Sequence, residues 1–246
     1  MTKCKELFGR NGENVYFCDG ITKYIFFIME QELNYREELQ QARKVASGLQ
    51  LRGNENEIDA YWEVLCGLVL VAEQDLKEQD CEWEIAGLAR ELLQYGRPLA
   101  QYDHMLDNIH QAAHRMADAL SDHPRLKTEL LALDLSVLER LGKDAETVTE
   151  VQEELDELRH NIELADAGRL DEIKQHGLKH DPVEWTARWE QIIDEADEKV
   201  FKRLADQPRG MGFCHAYWHE RASVLSSDYD INWRSLARMN PRVMFD

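Results

Sequence analysis

The sequence predicts an all-α protein, a multi-helix bundle of about eight to ten helices in antiparallel hairpins with little or no sheet. Three observations carry this expectation. Apolar residues recur at steps of three and four along most of the chain. Glycine and proline fall mainly between these stripes. No run of alternating β-branched residues rivals them.

The first twenty residues read as an irregular leader broken by Gly9, Gly12 and Gly20. The stripe Ile21, Ile25, Ile28, Tyr35, Leu39, Ala42 and Ala46 then predicts one long helix closing near Gly48. After a polar loop, Ile58, Tyr61, Trp62, Leu65, Leu68, Val69, Ala72 and Leu76 predict a second. A third carries Ile85, Leu88, Ala89, Leu92 and Leu93 and is expected to stop at Gly96, in the position after the last turn where glycine is favoured. Pro98, lacking an N–H, suits the first position of a fourth helix running through Leu106, Ile109, Ala113 and Met116.

His123-Pro124 marks a boundary, because the residue before proline avoids helical backbone. A leucine-rich helix from Leu126 should end at Gly142, and Val148, Val151, Leu155, Leu158, Ile162 and Ala165 form the next seam. Gly168 and Gly177 bracket a short helix around Leu170 and Ile173. Asp181-Pro182-Val183-Glu184 combines a capping acid, a proline and a glutamate in the order of a helix start, followed by Trp185, Trp189, Ile192, Ala196 and Val200. The whole is expected as one helical domain over 1–246, with a subdivision into 1–122 and 124–246 as the alternative.

The chain has 246 residues, 43% of them hydrophobic, enough apolar material for a core. Its 48 Asp and Glu against 29 Lys and Arg leave a formal charge of -19, which argues against nucleic acid and against anionic membranes as partners. The acidity serves solubility, or meets a basic partner. Five widely spaced cysteines without a CxxC pair fit a reducing compartment, and no secretory leader is read at the start, so a cytoplasmic location is expected.

Three groups of residues have candidate chemistry. Pro208 to His219 brings Gly210, Gly212, Cys214, His215 and His219 together in a glycine-rich run opening into a helix, a form that can bind an anion or a small ligand. Asp103, Asp107, His110 and His114, spaced four, three and four, form a ladder on one helix face, where a facing helix could complete a divalent-metal site. Glu32 falls on an apolar stripe and could serve as a ligand or a general base. Each group also has a structural explanation: a tight turn, a solvated edge of Asp–His pairs, and a stripe rim. The structural explanations are favoured, so a metal is not the preferred cofactor. No complete catalytic set is present. The leading expectation is a non-enzymatic helical protein that binds another protein. A metal-dependent enzyme, such as a hydrolase in a helix bundle, and a small-anion binder are the alternatives.

Residues 207–246 differ in character from the rest. They hold five Arg against four Asp or Glu and are rich in Phe, Tyr and Trp. Such a composition is costly to leave in water, so the segment is expected to pack on the acidic body.

Overall fold

The computed structural model describes residues 34–78 and 81–245. They form nine α-helices and several 3-10 turns, with no strand among the described residues. The helices are α1 (Tyr35–Ser47), α2 (Glu55–Glu78), α3 (Ile85–Leu99), α4 (Leu106–Asp118), α5 (Pro124–Leu141), α6 (Ala145–Asp166), α7 (Ala187–Arg203), α8 (Phe213–Tyr229) and α9 (Leu236–Met239). Successive helices pack as hairpins, α1 on α2, α4 on α5, α5 on α6 and α7 on α8.

Helix α2 is the spine. Its residues 64–72 are all buried, because α1, α3 and α4 pack on it from different sides. Gly67 permits this. A Cβ there would meet Leu39 of α1 at 3.0 Å, so α1 lies close against bare backbone. The forked contact of Arg43 with Glu91, Nε to Oε1 at 2.8 Å and Nη2 to Oε2 at 2.5 Å, ties α1 to α3.

Two clusters of buried apolar residues result. The larger draws on α1 to α6, from Leu39 to Leu158. The smaller draws on α7, α8 and the segment after them, around Trp189, Ile193, Val200, Val224, Leu225 and Trp233. The arginine-rich, aromatic C-terminal segment contributes buried Ile231 and Trp233 to it.

Several helix ends differ from the sequence expectation. The long first helix does not run through Asn34, whose backbone is extended and whose side chain caps α1 by accepting from Glu37 N–H. Ile21, Ile25, Ile28 and Glu32 lie outside the described residues. Gly96 does not end the third helix. It lies inside α3 and faces Leu133 of α5, which a Cβ would meet at 3.3 Å, so the glycine serves packing. Pro98 lies in the last turn of α3, and the fourth helix begins only at Leu106, after a 3-10 turn at Asp103–Met105. Asp181 caps a 3-10 turn, Pro182–Trp185, by accepting from Val183 N–H. The cap of α7 is Thr186, which accepts from Trp189 N–H at 3.2 Å. Pro124 opens α5 and Gly142, at φ 62°, closes it, both as the sequence predicts.

Candidate functional site

The two apolar clusters meet across a polar seam, and at its centre lies Arg221. This residue sits on α8, one turn after Tyr217, and its side chain is 3% exposed. Its guanidinium lies 5.2 Å from the Trp189 and Trp233 rings and 5.5 Å from that of Tyr217, an aromatic cage that favours a cation. Nη2 donates to Asp122 Oδ2 at 2.8 Å and to Asp197 Oδ2 at 2.9 Å. Nε contacts Asp197 Oδ1 at 2.9 Å without the alignment of a hydrogen bond.

Three elements deliver these partners. Asp197 comes from α7 and Asp122 from the connection between α4 and α5. The third is the 3-10 turn before α7. Its Glu184 is buried and accepts from Trp233 Nε1 at 2.6 Å and from His180 Nδ1 at 2.8 Å. Asp181 accepts from the Arg234 backbone N–H at 2.9 Å and from its Nε at 2.8 Å. Trp189 Nε1 donates to the Asp122 carbonyl at 2.8 Å. Further along the seam, His123 contacts Glu190 at 3.1 Å and Asp194 at 2.9 Å, and Arg90 donates to Asp194 at 2.9 Å.

Burial and pairing set the protonation of these groups. Burial opposes the charge on Asp122, yet Arg221 beside it holds its carboxyl below the usual range. Asp197 goes the other way: burial outweighs Arg221 and pushes it up to about 6. Burial also pulls against the His123 cation, but Asp194 and Glu190 hold it protonated, with a pKa raised to about 9. The hydrogen bond to Glu184 raises His180, and burial raises Glu82, which lies within electrostatic reach of Arg209.

Among the described residues, Asp122, His180 and Glu184 each offer one metal-ligating atom, and these atoms lie within 4.8 Å of one another. A divalent ion there would compete with Arg221, which already supplies positive charge to Asp122, and with the two donors that satisfy Glu184. The arrangement is therefore a clamp: an encaged arginine joins α7, α8 and the α4–α5 connection through two carboxylates.

The residues singled out from the sequence are placed as follows. Gly212 adopts φ 83° and precedes α8, so Cys214, half-buried, and exposed His215 lie in the first turn. His215 Nε2 lies 3.2 Å from the Phe245 carbonyl, with its ring edge-on to Trp218. Gly210 and His219 are exposed. The ladder of Asp103, Asp107, His110 and His114 is divided, because Asp103 lies in the 3-10 turn ahead of α4. Asp103 pairs with Arg140, and Asp107 with Lys143 at 2.9 Å. His110 and His114 both turn toward Asp134 of α5. Glu32 lies outside the described residues.

Sequence reasoning missed Arg221, Asp122, Asp197, Glu184 and Asp134. A signal for Arg221 existed: it falls on the buried face marked by Tyr217, Val224 and Leu225, where an unpaired cation cannot stay. Among the described residues, no helix is long and apolar enough to cross a membrane. In comparisons with known proteins, the chain matches no protein-family model, no curated protein and no solved structure.

Proposed function

We propose that this chain is a non-enzymatic helical protein that docks an acidic amphipathic segment of a partner protein. One observation carries the reading, a groove between α3 and α5 lined by arginines in a chain of charge -19. Two adjoining depressions of about 430 Å³ and 500 Å³ share Arg97 and Glu129 as common walls. Arg90, Arg97 and Arg125 edge the first and Arg97 and Arg159 the second, over a floor that includes Leu93, Leu126 and Leu133. An apolar floor between cationic rims suits a helix with an apolar stripe flanked by carboxylates. Arginine is also the basic residue most favoured at interfaces, through planar, forked contacts. In the free protein Arg97 is held by Glu129 at 2.7 Å, with both side chains more than half exposed, a pair weak enough to exchange for a partner's carboxylate. The acidic surface elsewhere would steer such a segment toward this groove.

The test uses two labelled peptides of leucine on one face, one with glutamate and one with lysine on the other. The glutamate peptide should bind and shift the amide resonances of Leu93, Arg97, Thr128 and Leu133. Arg97→Glu combined with Arg159→Glu should weaken it at least tenfold. Binding of the lysine peptide alone would move the docking surface to the acidic helix α6. Failure of both peptides would remove the interaction reading.

A further inference from the structure

The structure assigns a second site, independent of the docking groove: we propose that His110 and His114 on α4 bind a divalent transition metal of the zinc class, with Asp134 of α5 as the carboxylate that orients both rings. The two histidines are four residues apart, so they rise from successive turns of one helix face. Their ring centres are 5.9 Å apart. Metal–nitrogen bonds near 2 Å put each ring centre about 3 Å from the ion, so two rings sharing one tetrahedral ion have centres about 5 Å apart. The observed spacing is within about 1 Å of that, a closure that a small rotation of the half-exposed His114 ring supplies.

Asp134 is the feature that turns a pair of neighbouring histidines into a built site. It is fully buried, on a leucine-rich helix. Its Oδ1 lies 2.5 Å from His110 Nδ1 and its Oδ2 lies 3.7 Å from His114 Nδ1. A hydrogen bond to a carboxylate places the proton on Nδ1 and leaves the lone pair of His110 on Nε2, the tautomer a metal requires. Metal-bound histidines typically hold their other ring nitrogen in this way. Asp134 Oδ2, in contrast, is buried with no hydrogen-bond partner. A charge so placed is costly unless His114 closes on it. An ion on the two Nε2 atoms would polarise both Nδ1–H groups toward the carboxylate, completing the bond that His114 falls short of here.

The surroundings admit a cation. His114 is 52% exposed, so the site opens to solvent. Its Nε2 lies 3.9 Å from Asp118 Oδ2, one further turn along α4, and that side chain is 68% exposed and free to swing in as a third ligand. Glu154 of α6 adds negative potential at His114. The cations nearby have partners of their own: Lys127 is bound to Glu154 at 2.6 Å and Lys143 to Asp107 at 2.9 Å. Of the other clustered ligand atoms, on Asp122, His180 and Glu184, Asp122 is bonded to Arg221, and among the described residues no guanidinium contacts Asp134.

The experiment titrates tag-free, chelator-treated protein with Zn2+ by calorimetry and with Co2+ by its visible spectrum. One equivalent should bind. His114→Gln, at an exposed position that α4 tolerates, should weaken binding at least tenfold, and Asp118→Asn should weaken it less. Asp134→Asn should weaken it about 10–100-fold by freeing the rings, with helicity checked by circular dichroism. If that variant unfolds, His110→Gln takes its place, with the tenfold loss expected of a ligand. His219→Gln and His180→Gln should change nothing. The assignment is overturned if no equivalent binds at millimolar Zn2+, if His114→Gln binds as tightly as the parent, or if His219→Gln or His180→Gln abolishes binding.

Discussion

Trp233 donates its indole N–H to Glu184 across 2.6 Å of buried space, and the two residues are 49 positions apart in the chain. The bond fastens the segment after α8 to the turn that precedes α7. Glu184 also holds His180, so one carboxylate satisfies two donors while its own oxygens are kept from water. Trp233→Phe keeps one six-membered aromatic ring and removes the pyrrole half with its N–H donor. The expected cost is about 1–3 kcal/mol, because a buried carboxylate oxygen is left unpaired. A denaturant midpoint unchanged from the parent would show that water replaces the indole.

Arg221→Met removes the central cation and leaves Asp122 and Asp197 facing each other across its site. Breaking a buried pair from one side costs about 3–5 kcal/mol. Arg221→Met combined with Asp197→Leu should recover part of that loss. If the double variant is no better than the single one in urea unfolding, the clamp does not act as a charge unit.

The pH dependence follows from His123. Its folded pKa, about 9, lies above the ordinary histidine value of 6.5, so the folded state binds this proton more tightly than the unfolded chain. The stabilisation is full below about pH 6.5 and is lost as pH rises through about 9. The loss should reach roughly 2–3 kcal/mol between those limits. His180 and His114, both raised by carboxylate neighbours, act with the same sign. His123→Gln should flatten the alkaline limb of the stability curve measured by urea unfolding at successive pH values. A parent curve level from pH 6 to 9 would contradict the pairing with Glu190 and Asp194.

Gly67→Ala probes the close approach of α1 to α2. The new methyl would meet Leu39 at 3.0 to 3.3 Å, its backbone Cα included, so Leu39 must give by a few tenths of an ångström. Overpacking of this kind costs about 1–3 kcal/mol, which outweighs the gain in helix propensity of about 1 kcal/mol. Gly87→Ala, where nothing lies within 4 Å, should instead stabilise α3. Thermal unfolding of the two variants should move in opposite directions.

The helical stripes were legible in the sequence because burial on a helix repeats with its pitch, and Leu92, Ile109, Leu126 and Leu155 all lie inside as predicted. Helix ends were harder. Gly96 looked like a stop because glycine is favoured beyond a last turn, whereas Leu133 from a distant helix needs the space. Asp181 looked like the cap of α7, yet the proline after it led into a 3-10 turn, and Thr186 took the role. Of the candidate sites, His110 and His114 could be read as a pair. Their carboxylate could not, since Asp134 is 24 residues away from His110 and hidden among leucines. The seam was invisible for the same reason. Asp122, Glu184, Asp197 and Arg221 carry no local pattern, and only the packing of α7 and α8 against the α4–α5 connection assembles them.

Helix α2 is enclosed along nine consecutive residues, and enclosure has a consequence in time as well as in energy. An amide on a helix with one wet face can trade its hydrogen through a local opening. From Val64 to Ala72 no face is wet, so α1, α3 and α4 must leave before water arrives. These amides should be the slowest in the chain to exchange with deuterium, at a rate that reports the whole-molecule stability, while those of the short α9 exchange early. The spine of the fold therefore doubles as its clock.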